Sequence, residues 1–188
     1  MIRLLLLLVL WLLGHAVQAQ TQPWNASVHY PISIGDSFRS SNQGIIGLEI
    51  GRTFAQWGKA RIGASLAGSW FATTIINDSD PVQENKYRDA FFSGKFFAEW
   101  DLDQAKRLHL QTGLGWGYQT SRFSPAFFDA NGRLQGEETS HGPVISLGLG
   151  YDLTPNWYVQ TQVEGMGLFG KSPTSYVGLL RIGTGFRF

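Results

Sequence analysis

The sequence predicts an all-β chain folded as an eight-stranded antiparallel transmembrane β-barrel with up-and-down meander connectivity. Three observations carry that prediction. Apolar residues alternate with polar or glycine residues at period two over eight successive segments, Trp and Tyr gather at segment ends, and the separators alternate between short turns and longer polar stretches. A β-strand points successive side chains to opposite faces, and a tilted strand needs about ten residues to cross a bilayer. No helical period competes over a comparable window.

The segments follow in order. Val28, Tyr30, Ile32 and Ile34 form the first outward face, against His29 and Ser33. Ile46, Leu48 and Ile50 form the second, against Gly47, Glu49 and Gly51. The third sets Ile62, Ala64, Leu66 and Trp70 against Arg61, Gly63, Ser65 and Ser69. The fourth sets Phe92, Phe96, Ala98, Trp100 and Leu102 against Ser93, Lys95, Phe97, Glu99 and Asp101. The fifth is the most regular, with Leu108, Leu110, Thr112, Leu114, Trp116 and Tyr118 alternating with His109, Gln111, three glycines and Gln119. Ile145, Leu147, Leu149 and Tyr151 mark the sixth, and Trp157, Val159, Thr161, Val163 and Phe169 the seventh. In the eighth, Tyr176, Leu180, Ile182, Thr184, Phe186 and Phe188 share one face, and Arg181, Gly183, Gly185 and Arg187 the other.

Short turns are expected at Gln56–Lys59, Asp103–Arg107 and Thr154–Asn156, after strands two, four and six. Longer polar loops are expected at Asp36–Gln43, Asn77–Asp89 and Ser121–Ser140, with a shorter one at Gly170–Ser175. Short turns on the periplasmic side and longer loops outside are the outer-membrane arrangement, and an even strand count leaves both termini in the periplasm.

Residues 1–19 read as a signal peptide: a cationic start at Arg3, an apolar run from Leu4 to Leu13, and small or tolerated residues before a cut after Ala19. The run is too short for a spanning helix. Without it, residues 20–188 form one barrel domain, and the 15 basic and 14 acidic residues become 14 of each. That neutrality argues against nucleic acid as a partner, which needs a basic surface. The chain has no cysteine, so disulfide, thiol and lipoprotein chemistry are excluded.

The closing strand, YVGLLRIGTGFRF, resembles the final strand of bacterial outer-membrane barrels, and the Tyr151–Trp157 hairpin before it resembles the end of the small OmpA/OmpX-like family. The resemblance covers the mature chain as a pattern and is specific for architecture. It implies a bacterial outer-membrane location and contact with outer-membrane lipid and lipopolysaccharide. It also implies handling by periplasmic chaperones and the barrel assembly machinery, with Tyr176, Leu180, Ile182, Phe186 and Phe188 as the assembly signal. A secreted β-sandwich would also alternate, but would not need aromatics clustered at strand ends or a terminal Phe.

Eight strands enclose an interior just wide enough for side chains to fill. Isolated charges there are costly, so opposite charges are expected to pair. Glu49, Arg61, Lys95, Glu99, Glu164 and Arg181 are expected to point inward and form one polar network that plugs the lumen. The function expected is a monomeric structural barrel displaying extracellular loops, without cofactor or metal. A narrow pore or small transporter, or a lipid A-modifying barrel enzyme, is the alternative.

Acyl chemistry requires a nucleophile, a base and an orienting acid. His141, near Ser140, Glu137 and Glu138, is the best-placed base, yet His141-Gly142-Pro143 does not match the His-x-Ser-Asn type motif of the lipid A deacylase family. Thr21 to Asn25 is too short for the amphipathic helix of the lipid A palmitoyltransferase family. No catalytic residue is therefore assigned. In the third loop Phe123, Phe127 and Phe128 form an apolar group outside the membrane band, a candidate contact for a partner or lipid.

Overall fold

The computed structural model describes residues 24–34, 43–77, 83–128, 134–169 and 175–188. The expected signal peptide and its cut after Ala19 lie outside these residues. Eight strands follow one another: β1 (Trp24–Ile34), β2 (Gln43–Trp57), β3 (Ala60–Asn77), β4 (Gln83–Asp101), β5 (Leu108–Phe128), β6 (Leu134–Asp152), β7 (Trp157–Leu168) and β8 (Ser175–Arg187). Each pairs antiparallel with the next, and β8 pairs with β1 to close the barrel. Closure runs from Asn25↔Arg187 to Ile34↔Gly178. It is extended by reciprocal backbone hydrogen bonds between Trp24 and Phe188 of 3.1 and 2.9 Å. A closed barrel leaves no sheet edge inside a bilayer, where unpaired backbone groups are prohibitive.

The faces follow the alternation. Leu66, Phe96, Leu114 and Ile145 are each more than 60 % exposed on the outside. Their odd- or even-numbered counterparts Ser65, Lys95 and Ser146 are buried inside. Glycine or small residues on the inner face of β5, β6 and β8 leave room for long side chains opposite.

Short turns close one end. Gly58 has φ 60°, the left-handed conformation that a tight hairpin favours and that glycine adopts without strain. In the next turn Lys106 takes φ 54°, and Asp103 Oδ1 accepts the backbone N–H of Arg107 at 2.7 Å and of Leu108 at 2.8 Å. Those bonds, Leu108 first, hold the Asp103 carboxyl below its ordinary value.

The strands at the other end exceed the expected ten residues. β5 has 21 residues and β4 and β6 have 19 each, against 12 in β7 and 11 in β1. The stretches expected as the second and third long loops are therefore largely strand: β4 begins at Gln83, β5 runs to Phe128 and β6 begins at Leu134. Their polar outer residues still pair across the ladders, as in Thr74↔Lys86 and Thr120↔Thr139. Polarity marks exposure to water and does not by itself separate a strand from a loop. The β6–β7 ladder stops at Val144↔Met166, beyond which the single bridge His141↔Phe169 continues it. The β2–β3 ladder ends at Gln43↔Ala72 while β3 runs on to Asn77. A four-stranded sheet, β3 to β6, thus rises above the barrel wall.

Candidate functional site: the barrel interior and its outer rim

The interior is filled in three layers. Mid-barrel, β2, β4, β7 and β8 bring together Glu49, Lys95, Glu164 and Arg181, all buried. Lys95 Nζ donates to Glu164 Oε2 at 2.8 Å, and the Arg181 guanidinium donates to both Glu164 oxygens, each at 2.9 Å. Glu49 faces the same two cations at 3.7 Å (Lys95) and 3.8 Å (Arg181). Gln162 joins the belt: its Oε1 accepts from Lys95 at 3.1 Å and its Nε2 donates to Gln111 Oε1 at 3.1 Å. Two cations face two carboxylates, so the formal charge of the buried belt cancels.

Nearer the short turns a second cluster forms around Arg61, whose Nη2 lies 2.6 Å from Glu99 Oε1 and 2.7 Å from Asp101 Oδ1. His109 is wedged between two acids, Nδ1 2.9 Å from Asp101 Oδ1 and Nε2 2.7 Å from Asp152 Oδ2. Arg187 pairs with Asp152, lies 3.7 Å from Glu99 and stacks its guanidinium over the Tyr158 ring at 4.7 Å. The six residues expected in one network thus fall into two clusters, Arg61 and Glu99 below and the other four above. Between them lies a polar cavity of about 30 Å³ lined by Ser27, Gln111, Gln160 and Tyr158 among others, with room for about two waters.

The third layer lies toward the tall end and is apolar. Phe71, Phe91, Val144, Met166, Leu168, Val177 and Leu179 pack together, none more than 8 % exposed. Phe71 and Phe91 meet edge to face with centroids 5.6 Å apart. Between this layer and the belt, His29 Nε2 lies 3.1 Å from Ser69 Oγ. The two are 2 % and 0 % exposed. Gly47 opposite makes space for the ring, since a β-carbon there would stand 1.9 Å from Nε2.

Sequence reasoning left Asp101, Asp152 and Arg187 out of the charge network and did not foresee the apolar layer. Both were within reach of the period-two pattern. Phe71, Phe91 and Leu179 each lie two residues from an inward polar residue, at Ser69, Ser93 and Arg181.

His141 and the terminal-strand candidates lie on the outer face of the barrel. His141 is exposed on the lipid-facing side, its ring 5.8 Å from that of Trp116. Its neighbour Ser140 occupies the opposite face of β6, because adjacent strand residues alternate. Glu137 instead accepts from Thr120 Oγ1 at 2.9 Å. Phe123, Phe127 and Phe128 belong to β5 and not to a loop, pairing with Tyr87, Gln135 and Leu134. Their side chains lie outside the described residues. Of the terminal-strand residues, Tyr176, Ile182 and Phe188 are at least half exposed on the outer surface, and Phe186 and Phe188 stack at 6.3 Å. Leu180 lies on the same face.

The architecture is that of the small eight-stranded bacterial outer-membrane β-barrels. Ail, the attachment invasion locus protein of Yersinia pestis, solved with the heparin analogue sucrose octasulfate, superposes with a TM-score of 0.61 at 17 % identity. The match covers 90 % of this chain and all of Ail. Neisserial surface protein A, NspA, gives a TM-score of 0.52 at 15 % identity, over 87 % of this chain and 94 % of NspA. No protein-family model matches the sequence, and no curated protein matches it. The likeness is one of fold.

Proposed function

We propose that this protein is a structural barrel of the bacterial outer membrane, with a sealed lumen, that holds the β3–β6 sheet above the outer surface. The three-layer filling of the interior carries this reading. An ion entering from the short-turn end would meet the Arg61–Glu99–Asp101 cluster and then the Glu49–Lys95–Glu164–Arg181 belt. It would then have to pass an apolar layer of seven packed side chains. Breaking a buried ion pair costs about 3–5 kcal/mol, so transient opening of the belt is rare. The rim supports the display role, because β4, β5 and β6 extend seven or more residues beyond the length of β7.

Reconstitution in a planar lipid bilayer tests the sealed lumen. The purified barrel is expected to give at most brief, small current events. Stable ohmic steps from the unmodified protein would establish a pore instead.

A further inference from the structure

Along the β1–β2 seam the barrel wall loses its ladder well below the ends of the two strands. β1 and β2 pair only from Trp24↔Arg52 to His29↔Gly47, although β1 runs on to Ile34 and β2 begins at Gln43. Each lip is held on its far side, β1 to β8 as far as Ile34↔Gly178 and β2 to β3 as far as Gln43↔Ala72. The break follows from the sequence. Trp24 exchanges both backbone bonds with Phe188, so the odd-numbered residues of β1 turn their N–H and C=O toward β2. The next of these after His29 is Pro31, which has no N–H to give. Beside it β2 is bulged at Ile45, between Gly44 and Ile46. In the β6–β7 seam, where Pro143 sits just beyond the last ladder pair, the His141↔Phe169 bridge joins the strands again. Among the described residues no such bridge spans β1 and β2 above His29.

The seam lies at the height of the outer leaflet. Tyr30 and Ile34 stand six and ten residues along β1 from Trp24, at the short-turn end. At about 3.3 Å per residue and a tilt of about 40°, they lie about 15 and 25 Å above it, in the outer half of an apolar band about 25 Å tall. The lips are apolar outside, where Tyr30, Ile32, Ile34, Ile45 and Ile46 are all exposed. They are apolar behind as well: Gly44 pairs with Phe71 and Ser33 with Leu179, two members of the packed apolar layer. The lips meet at Gly44, where a β-carbon would collide with the Pro31 carbonyl oxygen. A seam without its ladder is costly in hydrocarbon. This one has lipid chains on one side and apolar side chains on the other.

We propose that the β1–β2 seam above His29 is a lateral portal, through which one acyl chain of an outer-leaflet lipid slips between the strands and lies against the apolar layer. A hydrocarbon chain asks for no hydrogen bond from the lips, and its contacts with Phe71 and Leu179 replace those it leaves among lipid tails. The His29–Ser69 pair and the charged belt bound its path from below, so the chain enters without opening a route for ions. The portal rests on the outer-membrane reading above and adds a lipid chain to the sealed lumen.

The full barrel is reconstituted in vesicles of a phosphatidylcholine that carries a diazirine in one acyl chain. After irradiation, peptide mass spectrometry maps the residues to which the chain has become attached. Adducts are expected on the inward-facing Phe71 and Leu179 as well as on the outward-facing Ile32 and Leu180. Pro31→Val supplies the missing N–H and should lower labelling of the two inner residues about two- to tenfold, the worth of one net hydrogen bond. Gly44→Ala wedges the lips apart and should raise it. Adducts on outward-facing residues alone in the unmodified protein overturn the portal, and decide the matter even where neither variant folds. Unchanged inner labelling in either variant, still migrating as a folded barrel on unboiled gels, overturns it too, because the chain then enters elsewhere. Failure of the outer-membrane reading itself would appear separately, as recovery of the protein in the soluble periplasmic fraction.

Discussion

At the scale of single residues, Glu164 has the largest predicted effect, since it is the only described carboxylate that bonds Lys95 and Arg181 directly. Glu164→Ala would leave two buried cations facing Glu49 alone, at distances beyond hydrogen-bond reach. The expected loss is about 3–5 kcal/mol in denaturant unfolding of the detergent-refolded barrel, the scale for orphaning a buried ion. A change of less than 1 kcal/mol would mean that the belt contributes no more than a surface pair. A second prediction concerns Gly47, beneath the His29 ring. Gly47→Ala forces the ring off its place beside Ser69 and is expected to cost about 1–3 kcal/mol. The H29A/G47A double variant should lose clearly less than the sum of its single changes, because the clash needs both groups. Additive losses would show that the two do not meet. In the turn, Asp103 has a depressed pKa because the N–H groups of Leu108 and Arg107 hold its ionised form. Its contribution is therefore present at neutral pH and lost only as pH falls through that lowered value. A carboxyl titration followed by NMR should find its midpoint below that of an ordinary aspartate.

At the scale of elements, β8 and the β5–β6 hairpin serve different ends. Phe188 adds one backbone bridge to Trp24 and one ring stack to Phe186, modest contributions to a closed barrel. Its resemblance to an assembly signal makes it more important in cells than in the folded state. Phe188→Ala is expected to lower the folded yield in the outer membrane more than it lowers stability after refolding in detergent. Equal losses in both settings would make Phe188 a packing residue only. The outer reaches of β5 and β6 lie above the apolar layer, so replacing residues 126–136 by a two-residue turn should leave heat-modifiable migration unchanged. Loss of the folded band would show that the raised sheet supports the barrel and is not simply carried by it. The strands themselves were legible wherever one face meets lipid, as in Leu108 to Tyr118, because lipid imposes strict alternation. They became illegible above the membrane, where Lys86, Arg88 and Glu137 stand in strands that water contacts. There polarity no longer separates strand from loop.

At the scale of the whole molecule, the parity that places Glu49, Lys95, Glu164 and Arg181 inside is readable from sequence, but their partition is not. Which inward charges meet depends on the stagger between strands, and Arg61 meets Asp101 and His109 only through registers such as Arg61↔Glu99 and Asp101↔His109. The apolar upper layer escaped for a related reason. Phe71 and Phe91 look like membrane-facing aromatics until their parity is carried outward from Ser69 and Ser93. Together the layers make the central claim, that water and ions do not pass. The absence of cysteine from the chain allows a clean test with Ser69→Cys, at a position 0 % exposed in mid-barrel. A charged thiol reagent added to both sides of the reconstituted barrel should leave this thiol unlabelled until the protein is boiled. An exposed Ser124→Cys control should label at once. Labelling of the Ser69→Cys thiol in the folded barrel at a rate like that of the control would show an open, water-filled lumen and contradict the account.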